Sequence, residues 1–599
     1  MKNVTSKHHK ESLNFLAHFP YKTYPKMRNA QKSVFTILST DNPLLCEAPT
    51  GSGKTAIGYT YLKAETASGG QGYYVVPTKT LVDQIVQLHP DMTVVYGRNE
   101  YPCLYYDNEC RADEIPCSLL KDCPHRVDLE TGETKVPGVK PCAYLMAKYK
   151  ARHARLVACT SSYYFFEALK AKELPSALVI DEIHMWADSI RNMLSYKITD
   201  YQLEQFAQVL VSVGCSEEAR IIRKFKNAMI GVVKKYRSGR NTTLIEDNDL
   251  KLLLRILLNL KRANVEEKIQ KAISKGKLDK KADREFLQEL DRFSGDLYRY
   301  IKSLELSLTT EDRLPMTFVY GYWDRYLMEG KKVQYQLTIQ SYAIAGLTKK
   351  KLLPKKYLAL SATIGDPRMI QMETGVHAKF ATLPSEFPIE NTRIFSPTDV
   401  PDLSVKGMKS NDKNKMIRAI LRTAKKASRS GVRSLVIVVS EAERQKIVSF
   451  SKEENVSVVT YGDGIRPKDA IKRFRDGEGI VLLGTEAQFG QGIDLPGGIA
   501  EFIFYLRPGY PLPTDPQAQF EELRYGNQRW ALWTWRVIIK MLQARGRNNR
   551  SAKDRGCIFL MSMQFKRFTY GGLPEWLKPA YVGDKDLDGC YREAMKLIK

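Results

Sequence analysis

One stretch of the chain, Glu47-Ala48-Pro49-Thr50-Gly51-Ser52-Gly53-Lys54-Thr55, has the residue types needed to hold a polyphosphate. Glycine at 51 and 53 lets backbone N–H groups turn inward around phosphate oxygens, and the positive end of a following helix would face the same anion. Lys54 would neutralise the β- and γ-phosphates, and the Thr55 hydroxyl would ligate Mg²⁺. A second stretch, Val179-Ile180-Asp181-Glu182-Ile183-His184, puts two carboxylates at the end of an apolar run. Asp181 would hold the cation through water, while Glu182 would orient and deprotonate an attacking water. Taken singly, these are a glycine-rich turn and a solvated pair of acids. Taken together they predict hydrolysis of ATP with Mg²⁺, and His184 is placed to link that site to its neighbours.

A second chemistry is written in sulfur. Cys103, Cys110, Cys117, Cys123 and Cys142 fall within forty residues, while the other five of the ten cysteines are scattered. Ordinary use as small core residues would not cluster them. In a reducing compartment such a cluster points to metal ligation more than to disulfides. The set lacks the C-x₂-C knuckles usual in structural zinc sites, which disfavours zinc, and unligated thiols are the remaining alternative.

The elements that must position these residues follow from patterning. Pro43-Leu44-Leu45-Cys46 predicts a strand leading into the glycine-rich loop, with a helix behind it. Further apolar runs are Gly72-Tyr73-Tyr74-Val75-Val76, Ala177 to Ile180, Tyr357-Leu358-Ala359-Leu360, Ser434 to Val439 and Gly479 to Leu483. Runs buried on both faces and separated by helical patterns predict parallel sheets in α/β domains. Between about residues 190 and 345 the period becomes helical, as in Leu250, Leu253, Leu254, Leu257 and Leu258, interleaved with Lys and Arg. A helical insertion is expected there.

At 599 residues the chain exceeds what one hydrophobic core supports. With 43% hydrophobic residues it should fold unaided. Lys and Arg outnumber Asp and Glu by 93 to 67, a net charge of +26 that favours a polyanionic partner. No run of about 18 apolar residues and no secretory h-region in the first thirty residues are present, so a soluble, intracellular protein is expected.

In order along the chain, these motifs resemble those of superfamily 2 helicases, in particular the XPD/DinG branch of iron–sulfur helicases. Arg28-Asn29-Ala30-Gln31 resembles the family's adenine-recognition element, with Gln31 facing the base edge. Val75-Val76-Pro77-Thr78-Lys79-Thr80-Leu81 resembles the motif that touches the nucleic-acid backbone, and Ser361-Ala362-Thr363 the motif coupling hydrolysis to strand movement. Gly484-Thr485 with Gln488 to Gly497, including Asp494 toward the nucleotide, resembles the fifth motif. Gln543-Ala544-Arg545-Gly546-Arg547-Asn548-Asn549-Arg550 matches the terminal Q-x-x-G-R-x-x-R pattern.

The resemblance implies two RecA-like parallel-sheet motor domains with an iron–sulfur insertion and a helical arch insertion. The first motor domain takes residues 1–96, 146–190 and 346–385, the iron–sulfur domain 97–145, the arch 191–345 and the second motor domain 386–599. ATP would sit between the motor domains, with Gln543, Arg547 and Arg550 reaching across to the catalytic set Lys54, Asp181 and Glu182. A [4Fe–4S] cluster would be held by Cys103, Cys117, Cys123 and Cys142, with Cys110 spare. Lys224, Lys234, Lys235 and Arg237 would line a pore under the arch.

The implied activity is 5′ to 3′ translocation on single-stranded DNA and opening of duplexes, forks or R-loops. Its setting would be a monomer in the cytoplasm or on the nucleoid, or in the nucleus of a eukaryote. Alternatives are a nucleotide-gated clamp, or an accessory helicase of a CRISPR or viral system, RNA–DNA hybrids included. Three departures stand out: Ile183 in place of Ala in the D-E-A-H box, Gln491 where Glu is common, and Met563-Gln564-Phe565 where a late Asp-x-Arg is expected. The last two predict looser coupling.

Overall fold

The computed structural model describes residues 15–599, apart from 116, 118–119, 121, 237–244, 263–264, 277–282, 286, 289–294, 296–300, 302–304, 306–309, 312–313, 316–318, 328–332, 405–406, 408, 410, 490–498 and 550.

Two seven-stranded parallel sheets dominate. The first is built from β1 (Leu44–Glu47), β2 (Gly72–Val76), β3 (Thr93–Val95), β4 (Leu156–Thr160), β5 (Ala177–Ile180), and then, beyond an insertion, β11 (Tyr357–Ser361) and β12 (Lys379–Thr382). Its order is β12-β1-β11-β5-β2-β4-β3. Alternate side chains feed two cores: Leu45, Val75, Val157 and Leu178 face one layer of helices, and Leu44, Val76, Ala158 and Val179 the other. Burial on both faces is why these strands are apolar runs without alternation. The carboxyl ends of β1, β5 and β11 therefore open side by side, where the glycine-rich loop, the acidic pair and Ser361 emerge.

The second sheet comprises β13 (Thr392–Phe395), β14 (Ser434–Val438), β15 (Val458–Thr460), β16 (Val481–Thr485), β17 (Phe502–Tyr505), β18 (Gly556–Leu560) and β19 (Tyr581–Val582), in the order β15-β16-β14-β17-β18-β13-β19. It too is sandwiched, with Val436 and Leu483 in one core and Leu435 and Leu482 in the other.

The insertion between β5 and β11 carries helices Asp200–Ser212, Ser216–Lys235, Asp247–Arg262 and Val265–Ser274, which bury Phe206, Phe225, Met229, Leu253 and Leu257 against one another. It is not wholly helical, as the sequence pattern suggested. β6 (Ser195–Thr199), β9 (Val319–Leu327) and β10 (Val333–Ser341) form an antiparallel sheet in the order β6-β10-β9, and β7 (Thr310–Glu311) pairs with β8 (Leu314–Pro315). Val333-Gln-Tyr-Gln-Leu-Thr-Ile-Gln-Ser341 alternates apolar and polar residues, the period of a half-buried strand and a weaker signal than the helical pattern that precedes it.

Between β3 and helix Ala143–His153 lies a small lobe of short 3₁₀ turns holding the clustered cysteines. Arg98 donates to the carbonyls of Ala112 (2.6 Å) and Ile115 (2.9 Å), tying the lobe's loops together. No helix among the described residues is long and apolar enough to cross a membrane.

Candidate functional site

β1 runs into the glycine-rich loop, which closes on helix Lys54–Glu65. Gly53 is the cap of that helix with φ 79°, and Gly51 has φ 87°, both in the left-handed region that glycine adopts without strain. Space demands glycine as well. A Cβ on Gly51 would stand 2.5 Å from the ring of Phe387, and one on Gly53 would strike the Gln31 amide. Gln31 is 3% exposed; its Oε1 accepts from the Arg28 N–H (2.9 Å) and its Nε2 reaches the Gly53 carbonyl (3.5 Å). It is thus held against the phosphate loop itself, with its carbonyl already engaged by the start of helix Asn29–Thr40.

Asp181 and Glu182 leave the end of β5. The Asp181 carboxylate accepts from the Glu182 N–H (2.9 Å) and from the Tyr74 hydroxyl (3.3 Å). Glu182 is an L-residue in the left-handed region at φ 54°, which turns its carboxylate toward Lys54, 2.7 Å away. His184 Nδ1 lies 2.8 Å from Ser361 Oγ and 3.4 Å from Glu182 Oε2, and the Ser361 hydroxyl is 3.3 Å from the same carboxylate. Burial pushes Asp181 above the usual carboxylate range, against the pull of Lys54. Burial acts the same way on Glu182, but Lys54 and His184 outweigh it and hold that carboxyl low. One carboxyl of the pair is thereby kept ionised beside the lysine. His184 is lowered, first by burial, and Arg547 of the second lobe adds to the effect.

That last effect brings the charge of a second-lobe arginine to bear on the first-lobe site. Arg547, 9% exposed, follows helix Arg529–Arg545, which carries Gln543 on its last turn. Both polar atoms of the Gln543 side chain, Ser52 Oγ of the loop and Thr363 Oγ1 are buried without a hydrogen-bond partner. Buried polar groups left unsatisfied are costly, and such a set suits a polar ligand. The residues fit a Mg²⁺–triphosphate. Loop amides, Lys54 and Thr55 would hold it, and the cation would draw the buried Asp181 toward its ionised form. Asp494 with its neighbours Gly490 to Gly497, and Arg550 and Arg237, lie outside the described residues.

Three contributors have no signature of their own in the motifs. Phe387 comes from the segment joining the lobes. Glu47, 1% exposed, accepts from the amides of Ile364 and Gly365, both 2.7 Å away. Trp535 of the second lobe donates from its indole to the Ile364 carbonyl (2.7 Å). Of the three, only Glu47 could have been noticed, as a charge in an otherwise apolar strand.

Elsewhere, Val75 and Val76 end β2, and Thr78 caps helix Lys79–Leu88, whose Lys79 pairs with Glu100 of the cysteine lobe (2.5 Å). In the arch Lys224 is exposed and Lys234 lies over the Tyr335 ring. Lys235 is engaged by Asp249 (2.8 Å) and Glu246 (3.3 Å), which leaves it less available as a pore cation.

The cysteines share one lobe, where Cys110 and Cys142 neighbour Cys103, and Cys103 and Cys142 neighbour Cys123. Cys110 is buried beside Cys103, its carbonyl accepting the Cys103 N–H (2.9 Å), whereas Cys117 is exposed. Burial raises the Cys103 and Cys123 thiols. Among the described residues, no three His, Cys, Asp or Glu side chains are gathered closely enough to hold a metal ion. A cluster in this lobe would require its thiols to draw closer together than they stand here. From the arch, Gln288 approaches Cys110 Sγ (3.7 Å) and Arg284 pairs with Glu109 (3.0 Å).

Comparison with known proteins agrees with this layout. Residues 28–94 match the DEAD/DEAH box helicase model, and residues 423–580 match the helicase C-terminal domain model. The probable helicase HelY of Mycobacterium leprae (strain TN) is 31% identical over 103 residues, 17% of this chain. The match spans only 10% of that longer protein. Among solved structures, one titled XPD helicase superposes with a TM-score of 0.61 at 16% identity, covering 94% of this chain and all (100%) of the other. The Xpd4 structure from S. tokodaii gives 0.56 at 13% identity over 93% of this chain and 100% of its own. The chain thus carries a DEAD/DEAH-box helicase match in its first lobe and a helicase C-terminal match in its second, and one fold shared with XPD-type structures runs through both.

Proposed function

We propose that the chain is an ATP-driven motor that moves 5′ to 3′ on single-stranded DNA and separates the duplex ahead of it. The observation that carries the proposal is the shared cleft. Lys54, Glu182 and His184 come from the first lobe, the charge of Arg547 in the second lobe acts on the same histidine, and polar atoms of Ser52, Thr363 and Gln543 are buried without hydrogen-bond partners. A triphosphate bound there would draw Lys54 away from Glu182 and leave that carboxylate to orient water. Arg547 and Gln543 would close on the γ-phosphate, and its loss would release the second lobe. The net charge of +26 supports a nucleic-acid track. The DNA preference and the polarity rest on family likeness alone, and RNA-containing duplexes remain the second substrate class to be assayed.

Lys54→Ala should lower nucleic-acid-stimulated hydrolysis by about 10²–10³-fold, the range for loss of one charge-stabilising group, while strand binding persists. Unchanged hydrolysis would remove the site assignment. Strand displacement on 5′- and 3′-tailed DNA and RNA duplexes then decides polarity and substrate.

For the cysteine lobe we propose a [4Fe–4S] cluster, which requires a fourth thiolate, Cys117 or Cys110, to close with Cys103, Cys123 and Cys142. Five cysteines gathered in one lobe support this reading. Iron and sulfide analysis of anaerobically purified protein should return about four of each per chain, and a preparation that is metal-free or holds zinc would overturn it.

A further inference from the structure

A group of charges away from the phosphates joins three parts of the molecule. Glu373, on helix Pro367–Thr374 of the first lobe, is paired with Arg191 (2.6 Å) and with Arg536 of the second lobe (2.5 Å). Arg536 also forks onto Glu521 (2.6 and 3.0 Å), which accepts in addition from the Trp533 indole (2.5 Å). Arg191 donates further to the Tyr342 carbonyl at the base of the arch (3.2 Å). The side chains of Glu373 and Arg191 are 5% exposed and that of Glu521 is 1% exposed, while Arg536 keeps a fifth of its surface. Two positive and two negative charges thus neutralise one another out of water, with Arg536 as the one bidentate link between the lobes in this group.

The neighbours of this cluster give it a mechanical position. Arg536 and Trp535 sit midway along helix Arg529–Arg545, about 10 Å from Gln543 at a rise of about 1.5 Å per residue. That helix is held to the first lobe at its middle by Glu373 and the Ile364 carbonyl, and its far end carries Gln543, buried without a hydrogen-bond partner. On the first lobe, Arg191 belongs to helix Trp186–Met193, which follows the turn holding His184. Ile364 lies three residues beyond Ser361. Both halves of the catalytic apparatus therefore connect to the cluster through short, rigid elements. Beside it is an inter-lobe cavity of about 930 Å³, lined by Met369 and Phe380 on one side and Trp530, Trp535 and Trp576 on the other, which leaves room for the lobes to tilt.

We infer that Arg536 and Glu373 are positioning residues forming a permanent joint between the lobes, so that nucleotide turnover is converted into strand movement only while their pair holds. The inference rests on the ATP-driven reading above. With the joint fixed, closing of Gln543 and Arg547 on a nucleotide can only rotate the second lobe. Without it, the same closure would be absorbed by sliding, and hydrolysis would continue unharnessed.

The test compares wild type with Arg536→Gln, the charge-balanced double variant Glu373→Gln/Arg536→Gln, and Arg536→Lys, which keeps the charge and loses the fork. Each is assayed for hydrolysis at saturating single-stranded DNA, base pairs separated per ATP, and solution X-ray scattering without nucleotide. Expected are hydrolysis within about twofold of wild type, base pairs per ATP reduced at least about fivefold in the glutamine variants and less in Arg536→Lys, and a larger radius of gyration. Parallel loss of hydrolysis and unwinding in variants that remain folded, or no change in either, overturns the joint. If wild type itself shows no nucleic-acid-dependent hydrolysis, the motor reading fails separately, and an unchanged radius in the glutamine variants then overturns the joint alone.

Discussion

Glu182 combines a left-handed backbone with an ion pair to Lys54, and the two features are linked. An L-residue in that region carries strain on the order of 1–3 kcal/mol, tolerated where the surrounding structure fixes it. Here the turn aims the carboxylate across the loop, so the lysine and the carboxylate are held together until a phosphate competes. Glu182→Gln should therefore abolish hydrolysis and tighten ATP binding, since a partly exposed pair contributes roughly 1 kcal/mol, about fivefold in affinity. Titration with a fluorescent ATP analogue measures this, and weaker binding would contradict it. The candidate phosphate loop and acidic pair were legible because phosphate chemistry restricts residue type and spacing within each motif: two glycines, a lysine, a hydroxyl, adjacent carboxylates. Phe387 was not, because its role depends on packing against Gly51 from more than three hundred residues away, and no local pattern encodes that contact. Cys110 and Cys117 are not separated by spacing either; burial distinguishes them, and burial is a property of the folded lobe.

Between elements, the decisive contact is that of helix Pro367–Thr374 with helix Arg529–Arg545. Burial works to raise Glu373, but Arg536 and Arg191 outweigh it and hold the carboxyl down at about 2, from an ordinary value of 4.5. A carboxylate lowered on folding lends stability that is complete above its unfolded value and is lost as pH falls through the folded one. The contact should thus be unaffected at neutral pH and weaken progressively between about 4.5 and about 2. Fluorescence of the adjacent Trp533 and Trp535 during acid titration reports it, and a transition at neutral pH would disagree with the assignment. The two parallel sheets were readable from doubly apolar strand runs, since burial on both faces leaves no alternative pattern. The arch was only half readable: Leu250 to Leu258 advertised helix, while the alternation of Val333–Ser341 was a weaker signal, and the sheet it joins needs β6 from more than a hundred residues earlier. The Arg191–Glu373–Arg536–Glu521 group left no trace in either period, because its members are charges of ordinary type on four separate helices.

For the molecule as a whole, an excess of 26 positive charges sets how it meets a polyanion. Binding of single strands should fall steeply with salt, by about 300-fold to 10⁴-fold between 50 and 200 mM if roughly 6–10 phosphates are contacted. Filter or anisotropy titrations across that range give the slope, and a flat dependence would remove phosphate contact as the main source of affinity. Whole-molecule organisation also changes the meaning of the tight space at Gly51. The tether between the lobes rests its aromatic ring on the very loop that cradles the phosphates, so a bulkier loop would dislodge the tether, and a repositioned tether would crowd the loop. These two segments must therefore be inherited together. A chimera that exchanges second lobes between relatives should keep its nucleotide pocket only if the crossover falls after Phe387, which makes the tether up to that residue part of the first lobe's ancestry.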